Sequence, residues 1–326
     1  MSSWDAVRAL PLHVDGYFLE PLEREVARDF TLRRTVVVLH GRGEEGRGEE
    51  IDYDGDAQSR FQQDGGKLEF AGDHTLESFS LLHAGQPAYR RWAYESAALD
   101  LSLKQGATTL AEVLGRESRP LTFVVSTRVA NVPGWSELYP ALRFKLDADA
   151  DWTDELIASL PADRIDTVDL KGVYRSEFGN PPNAALYARV AKAFPNAWLE
   201  DPYLNADTLG ALTPYSDRIT WDAAIHEWSD VDTLPFRPQC LNCKPSRFGS
   251  VRRLFEFYDR CAAEGIALYG GGQFELGVGR EQIQRLASIF HPDGPNDVAP
   301  GVYNDPQPRP GLPESPLDLT RMTGFS

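Results

Sequence analysis

From Pro120 onward, short β-branched or apolar runs alternate with longer segments whose apolar positions recur at three- and four-residue steps. Leu121-Thr-Phe-Val-Val125, Arg143-Phe-Lys-Leu-Asp147, and residues 165–169, 197–200, 218–222, 239–244 and 266–269 read as strands. Helices are predicted over 152–160, with Thr153 as its cap, and over 183–194, 206–212, 229–234, 249–264 and 279–290. Such alternation is the signature of a parallel α/β sheet. Seven or eight units in about 175 residues suit a (β/α)8-type barrel better than an open doubly wound sheet.

The first part of the chain is patterned differently. Thr35-Val-Val-Val-Leu39 reads as a strand running into His40-Gly-Arg-Gly-Glu-Glu-Gly-Arg-Gly-Glu49, a glycine-rich charged stretch expected to be a turn or loop. Ile51–Tyr53 is then the candidate return strand. Tyr89, Trp92, Ala93, Ser96, Leu99 and Leu103 mark a helix over 88–103, and Thr108–Leu114 a second short one. The expected organisation is an α+β unit over 1–118, a barrel over 119–295, and an extended arm over 296–326 that is rich in Pro and Asn/Asp.

At 326 residues the length favours two domains. Hydrophobic content of 42% and charged content of 25% fit a globular protein, and no apolar run is long enough to span a bilayer. No membrane partner is expected. The N-terminus lacks a basic stretch followed by an apolar one, so a cytoplasmic location is expected. A net charge of −16 lacks the basic footprint that nucleic acid requires. Three cysteines, Cys240, Cys243 and Cys261, do not make a disulfide framework. The Cys-x-x-Cys pair has no second pair or nearby His to complete a zinc site, so buried thiols are expected.

The candidate chemistry lies at the strand ends. Asp169, Glu200, Asp222 and Lys244 each close a strand, at gaps of 31, 22 and 22 residues, about one strand-plus-helix unit apart. Strand ends of a (β/α)8 barrel open on one face, where such barrels place their sites. Three carboxylates meeting there would hold a hard dication, and a lysine beside them could move a proton. Taken singly, Glu200 or Asp222 is no more than an acidic loop start; the common spacing argues for more. Arg143 and Lys145 share a strand face by the period of two. They point at the carboxylates, or they are solvated on an edge strand. The loop at 41–48 lacks the Gly-Lys-Ser/Thr ending of a phosphate loop. The glycines of 270–279 let backbone approach a ligand closely.

With these segments in view, the chain resembles the enolase superfamily and, within it, the muconate-lactonizing-enzyme subgroup. Leu199-Glu-Asp-Pro202, Asn242-Cys-Lys-Pro-Ser-Arg-Phe-Gly249 and Gly271-Gly-Gln-Phe-Glu-Leu-Gly-Val-Gly-Arg280 carry the resemblance in order and spacing. It covers about 119–300 well. Over 1–118, Ala93-Tyr-Glu-Ser-Ala-Ala-Leu-Asp100 is its clearest piece, and the implied fold is an N-terminal α+β capping domain on a modified TIM barrel, with the C-terminal segment returning to the cap. The resemblance implies Asp169, Glu200 and Asp222 as Mg2+ ligands and Lys145 and Lys244 as catalytic lysines. Arg143, Lys171, Asn242, Gln273 and Glu275 are expected to bind substrate or to support those groups. It also implies a homo-oligomer. Three positions depart from the pattern: Arg143 replaces a lysine, Lys171 an asparagine, and Ala223 a glutamate.

What the resemblance implies chemically is removal of a proton α to a carboxylate of a small molecule, by a lyase or an isomerase. Mg2+ and Arg143 are expected to lower the acting lysine's pKa. Two bases permit racemisation or epimerisation; one base permits β-elimination of the o-succinylbenzoate synthase kind. Muconate-type cycloisomerisation is an alternative, and a non-catalytic binding protein on the same scaffold another. Gln273-Phe-Glu275 is not the Asp-x-Asp of dipeptide epimerases, and no late His–Asp base of the mandelate-racemase type is found. Specificity is expected from loops near 12–22 and 126–136.

Overall fold

The computed structural model describes residues 2–27, 30–65, 69–173, 179–305, 307–319 and 324–325. Among the described residues, five strands belong to the first part of the chain: β1 (Pro11–Val14), β2 (Gly16–Ala27), β3 (Phe30–Gly41), β4 (Glu44–Glu50) and β5 (Gly72–Thr75). β2, β3 and β4 form an antiparallel meander, and β1 pairs with β5. The helix Ala88–Gln105 packs on β3 and β4.

The glycine-rich stretch after Leu39 is therefore mostly strand. Only residues 42 and 43 turn, and Glu44–Glu50, rather than 51–53, is the return strand. Its glycines are there for contact. A Cβ on Gly48 would lie 2.0 Å from the Ala93 carbonyl oxygen, and one on Gly46 2.2 Å from that of Ala97. Strand and helix backbones thus touch, which only glycine permits. Residues 12–22 likewise lie almost wholly in β1 and β2 rather than in a loop.

The second part carries β6 (Val125–Thr127), β7 (Phe144–Asp147), β8 (Ile165–Asp169), β9 (Trp198–Glu200), β10 (Ile219–Thr220), β11 (Cys240–Cys243) and β12 (Ala267–Gly270). β6 to β10 form one parallel sheet in sequence order, and β11 and β12 another parallel pair. Backbone hydrogen bonds carry the ring round. Asn242 N donates to Trp221 O (3.1 Å), Asp297 N to Gly270 O (2.8 Å) and Val124 N to Asn296 O (2.9 Å). Residues 296–297, read from sequence as part of the arm, thus take the eighth place in the barrel. Outside it, Val251–Glu264 buries Val251, Leu254, Phe255, Tyr258 and Cys261 at helical spacing, with the Ser250 hydroxyl accepting from Arg253 N at its start. Thr153 caps Asp154–Ser159 in the same way. All three cysteines are buried free thiols.

Two buried groups tie the meander to the barrel loops. Arg34, with no exposed surface, donates to Gln273 O (2.9 Å). Glu49 accepts from the amides of Leu276 (2.6 Å), Gly277 (3.0 Å) and Gly279 (3.0 Å), at the start of the helix Val278–Phe290. The chain end returns to the first part: Gly324 N donates to Thr108 O and Phe325 N to Asp100 Oδ1, with Phe325 buried. Among the described residues no helix is long and apolar enough to cross a membrane.

Candidate active site

The parallel strands end together, and their terminal side chains meet in a cleft of about 450 Å³. Lys145, on β7, is 3% exposed; its Nζ lies 2.5 Å from Glu200 Oε1 and 3.5 Å from Asp297 Oδ2. Glu200, at the end of β9, also accepts at Oε2 from Asn242 Nδ2 (3.2 Å) and from the Tyr269 hydroxyl. Asp169, at the end of β8, receives the Lys171 main-chain N–H on Oδ1 (2.8 Å), with the Lys171 ammonium 2.6 Å from Oδ2. Asp222, just past β10, is gripped by Lys244 (2.7 Å) and Arg247 (2.6 Å). Asp201, in the left-handed region at φ 49°, accepts from the amides of Asp222 (2.8 Å) and Ala223 (2.9 Å) and so orients the Asp222 turn.

Crowding so many buried charges perturbs their acidities. Burial pushes Glu200 up; the Lys145 ammonium opposes this, and Asp169 and Asp222 add to it. Burial, then Asp222, Asp169 and Glu200, drive Asp201 well above the usual carboxylate range. Asp222 is held low in spite of its burial, chiefly by Lys244 and Arg247. Burial alone would lower Lys145, but Glu200, Asp297, Asp169 and Asp222 outweigh it and hold the amine well above its ordinary value. In this state Lys145 is a cation.

The structure gathers Lys145, Asp169, Lys171, Glu200, Asp222, Asn242 and Lys244 into one group. Lys145, Lys171, Asp222 and Lys244 line the cleft itself. Arg143 is placed elsewhere. β7 begins only at Phe144, so Arg143 precedes the strand, and it makes a two-pronged pair outside the cleft with Asp166, the residue of β8 that the ladder skips between Ile165 and Thr167. It is therefore not a cation that lowers Lys145. Gln273 and Glu275 are buried beside the cleft and organise its loop. Gln273 Nε2 donates to Ser246 Oγ (2.8 Å), its Oε1 accepts from Tyr89 (3.2 Å), and its N–H donates to Glu275 Oε1 (2.8 Å). Of the predicted specificity loops, Ser126, Thr127, Arg128 and Asn131 line the cleft, and the first part of the chain contributes Val26 from the far end of β2.

Several groups had no signal strong enough to read. Asp201 stood beside Glu200 in the Glu-Asp-Pro segment, where one acid masked the other. Tyr269 lay inside an ordinary strand pattern. Asp297 belonged to a Pro- and Asn/Asp-rich segment with no apolar strand pattern.

The donor chemistry fits a hard divalent cation. Among the described residues, Asp169, Glu200 and Asp201 are buried and offer carboxylate oxygens within 4.8 Å of one another; Asp222, the third predicted ligand, is not in that group, its oxygens facing Lys244 and Arg247. An oxygen-only, multiply anionic set of this kind suits Mg2+.

The fold is that of the enolase superfamily. A superfamily member from Listeria innocua Clip11262 matches at TM-score 0.66 and 17% identity, over 89% of this chain and 84% of that one. A muconate cycloisomerase from Pseudomonas fluorescens matches at 0.65 and 17%, over 88% of each. A dipeptide epimerase from Methylococcus capsulatus, complexed with Mg ion, matches at 0.67 and 16%, over 85% and 88%. In sequence, 63 residues are 40% identical to an N-succinylamino acid racemase of Amycolatopsis sp, a stretch that spans 19% of this chain and 16% of that protein. The chain itself belongs to the DUF8230 family: models described as the N-terminal and C-terminal domains of a domain of unknown function, DUF8230, match residues 5–113 and 117–305.

Proposed function

We propose that this protein is a Mg2+-dependent lyase or isomerase that removes the proton α to the carboxylate of a small-molecule substrate. The observation that carries this reading is that two lysines from different strands, Lys145 and Lys244, open on one cleft while each is paired with a buried carboxylate at its floor. Asp169, Glu200 and Asp222 are the proposed ligands of the ion, with Asp201 fixing the Asp222 turn. When bound, the ion supplies Lewis-acid stabilisation for the charge that develops on the substrate carboxylate.

The chain's own residues divide the proton work. Lys145, held protonated by four carboxylates, is the amine that can return a proton. Lys244, which lines the cleft from the end of another strand, is the proposed accepting amine. Asn242 and Tyr269 fix Glu200, and through it the position of Lys145. Transfer out and back across one carbon gives racemisation or epimerisation. Removal alone, followed by loss of a β-substituent, gives elimination of the o-succinylbenzoate synthase kind. The stretch resembling an N-succinylamino acid racemase supports the first and an N-acylated amino acid as the substrate class.

The test is incorporation of deuterium at the α-carbon in heavy water with Mg2+, across N-acylated amino acids and other carboxylates. The wild-type protein should exchange at least one of them. Lys145→Ala and Lys244→Ala should each slow exchange by about two orders of magnitude or more, the usual contribution of a positioned acid or base. Exchange that survives both changes would show that the bases lie elsewhere.

A further inference from the structure

Lys171 stands where related sequences are expected to carry a neutral asparagine, and its placement is built. Its backbone lies in the left-handed region at φ 52°, a conformation unusual for a residue with a long side chain. Hydrogen bonds from the turn's backbone hold it there: Lys171 N donates to Asp169 Oδ1 (2.8 Å), Asn180 N to Lys171 O (3.0 Å) and Gly172 N to Asp201 O (2.8 Å). The ammonium then reaches two carboxylates at different depths. Asp169 Oδ2 is 2.6 Å away with its side chain fully buried, and Asp147 Oδ1 is 3.3 Å away with its side chain 55% exposed. An ammonium and a dication repel one another and compete for the same oxygen.

Building on the reading of Asp169 as a metal ligand, we propose that Lys171 is a resident counter-ion which occupies Asp169 in the metal-free protein and retreats to Asp147 at the rim when a divalent cation takes that oxygen. The lysine keeps the acidic floor neutralised without metal and weakens metal binding relative to the same carboxylates alone. Asp147 is then the landing site, a positioning residue for the lysine and not for the ion.

The experiment is calorimetric titration of the full chain with Mg2+, repeated with Mn2+, on wild type, Lys171→Asn, Lys171→Arg and Asp147→Asn. Asparagine adopts the left-handed backbone more readily than lysine, so Lys171→Asn keeps the turn. Its dissociation constant should fall about tenfold to a hundredfold, as expected when a charge-assisted contact no longer has to be broken. Lys171→Arg should remain close to wild type. Asp147→Asn should weaken binding in the wild-type background and leave it unchanged in Lys171→Asn. Equal affinity in wild type and Lys171→Asn, or tightening by Lys171→Arg as large as that by Lys171→Asn, overturns the proposal while leaving the metal site standing. If no variant binds either ion, the metal-site reading falls, and this proposal with it.

Discussion

Replacing Tyr269 by phenylalanine isolates one bond at the floor of the cleft. The tyrosine has no exposed surface, and its hydroxyl donates to Glu200 Oε2, where Asn242 is the other described donor. Phenylalanine has the same shape less one oxygen, so little cavity is created. A buried hydrogen bond to a charged acceptor contributes about 1.5–3 kcal/mol, and deleting its donor leaves the acceptor partly unsatisfied. Burial and two neighbouring carboxylates already push Glu200 up, so the loss should show fully at pH 8, where ionisation is demanded. We therefore expect Tyr269→Phe to cost about 2 kcal/mol in urea unfolding followed by tryptophan fluorescence. Combined with Glu200→Gln in a double-mutant cycle, the pair should show a coupling of about 1.5 kcal/mol or more. A loss below about 0.5 kcal/mol, or a coupling indistinguishable from zero, would refute the claim that this hydroxyl holds the carboxylate.

Other perturbations follow from the same geometry. Burial, with Glu275 nearby, pushes Glu49 from its ordinary 4.5 up to about 7. The folded state then holds this proton more tightly than the unfolded one, so stability is greatest below about pH 4.5 and declines as pH rises to 7, with a ceiling of about 3 kcal/mol from this group. Glu49→Gln should flatten that decline in unfolding measured across the interval; an unchanged slope contradicts it. Gly48→Ala should destabilise by about 3 kcal/mol or more, because its Cβ meets helix backbone at 2.0 Å and neither backbone can give way; thermal unfolding within a degree of wild type would show otherwise. Arg143→Ala should cost about 1 kcal/mol or less and leave α-proton exchange near wild type, since the pair with Asp166 is partly exposed and outside the cleft. A large loss of exchange would restore Arg143 to the site.

Much of the barrel was legible because its strands and helices alternate with unambiguous period. Residues 165–169 and 206–212 are assigned identically by pattern and structure. The strand ends also gave the acidic and amine groups, since Asp169, Glu200 and Lys244 sit where an apolar run stops. What failed depends on tertiary context. The strand Glu44–Glu50 looks like a loop because its glycines answer to a helix about fifty residues away. Arg143 alternates correctly with Lys145 in sequence, but β7 begins only at Phe144 and Asp166, skipped by the ladder on β8, holds the guanidinium outside the cleft. Asn296 and Asp297 close the ring through main-chain bonds and through the Asn296 side chain, which accepts from Gly270 N and donates to Thr122 O, in a segment with no apolar strand pattern to announce it. Tyr269, silent in sequence, becomes visible only when its hydroxyl is found on Glu200.

The central claim is that a divalent cation lies among these carboxylates between the two amines. A crystal structure of the protein grown with Mg2+ tests it most directly. The account predicts one ion at the cleft floor, with oxygens of Asp169, Glu200 and Asp222 at about 2.0–2.1 Å and with Lys145 and Lys244 still turned into the cleft. An ion bound elsewhere, or these three side chains still paired only with lysine and arginine at millimolar Mg2+, would contradict it.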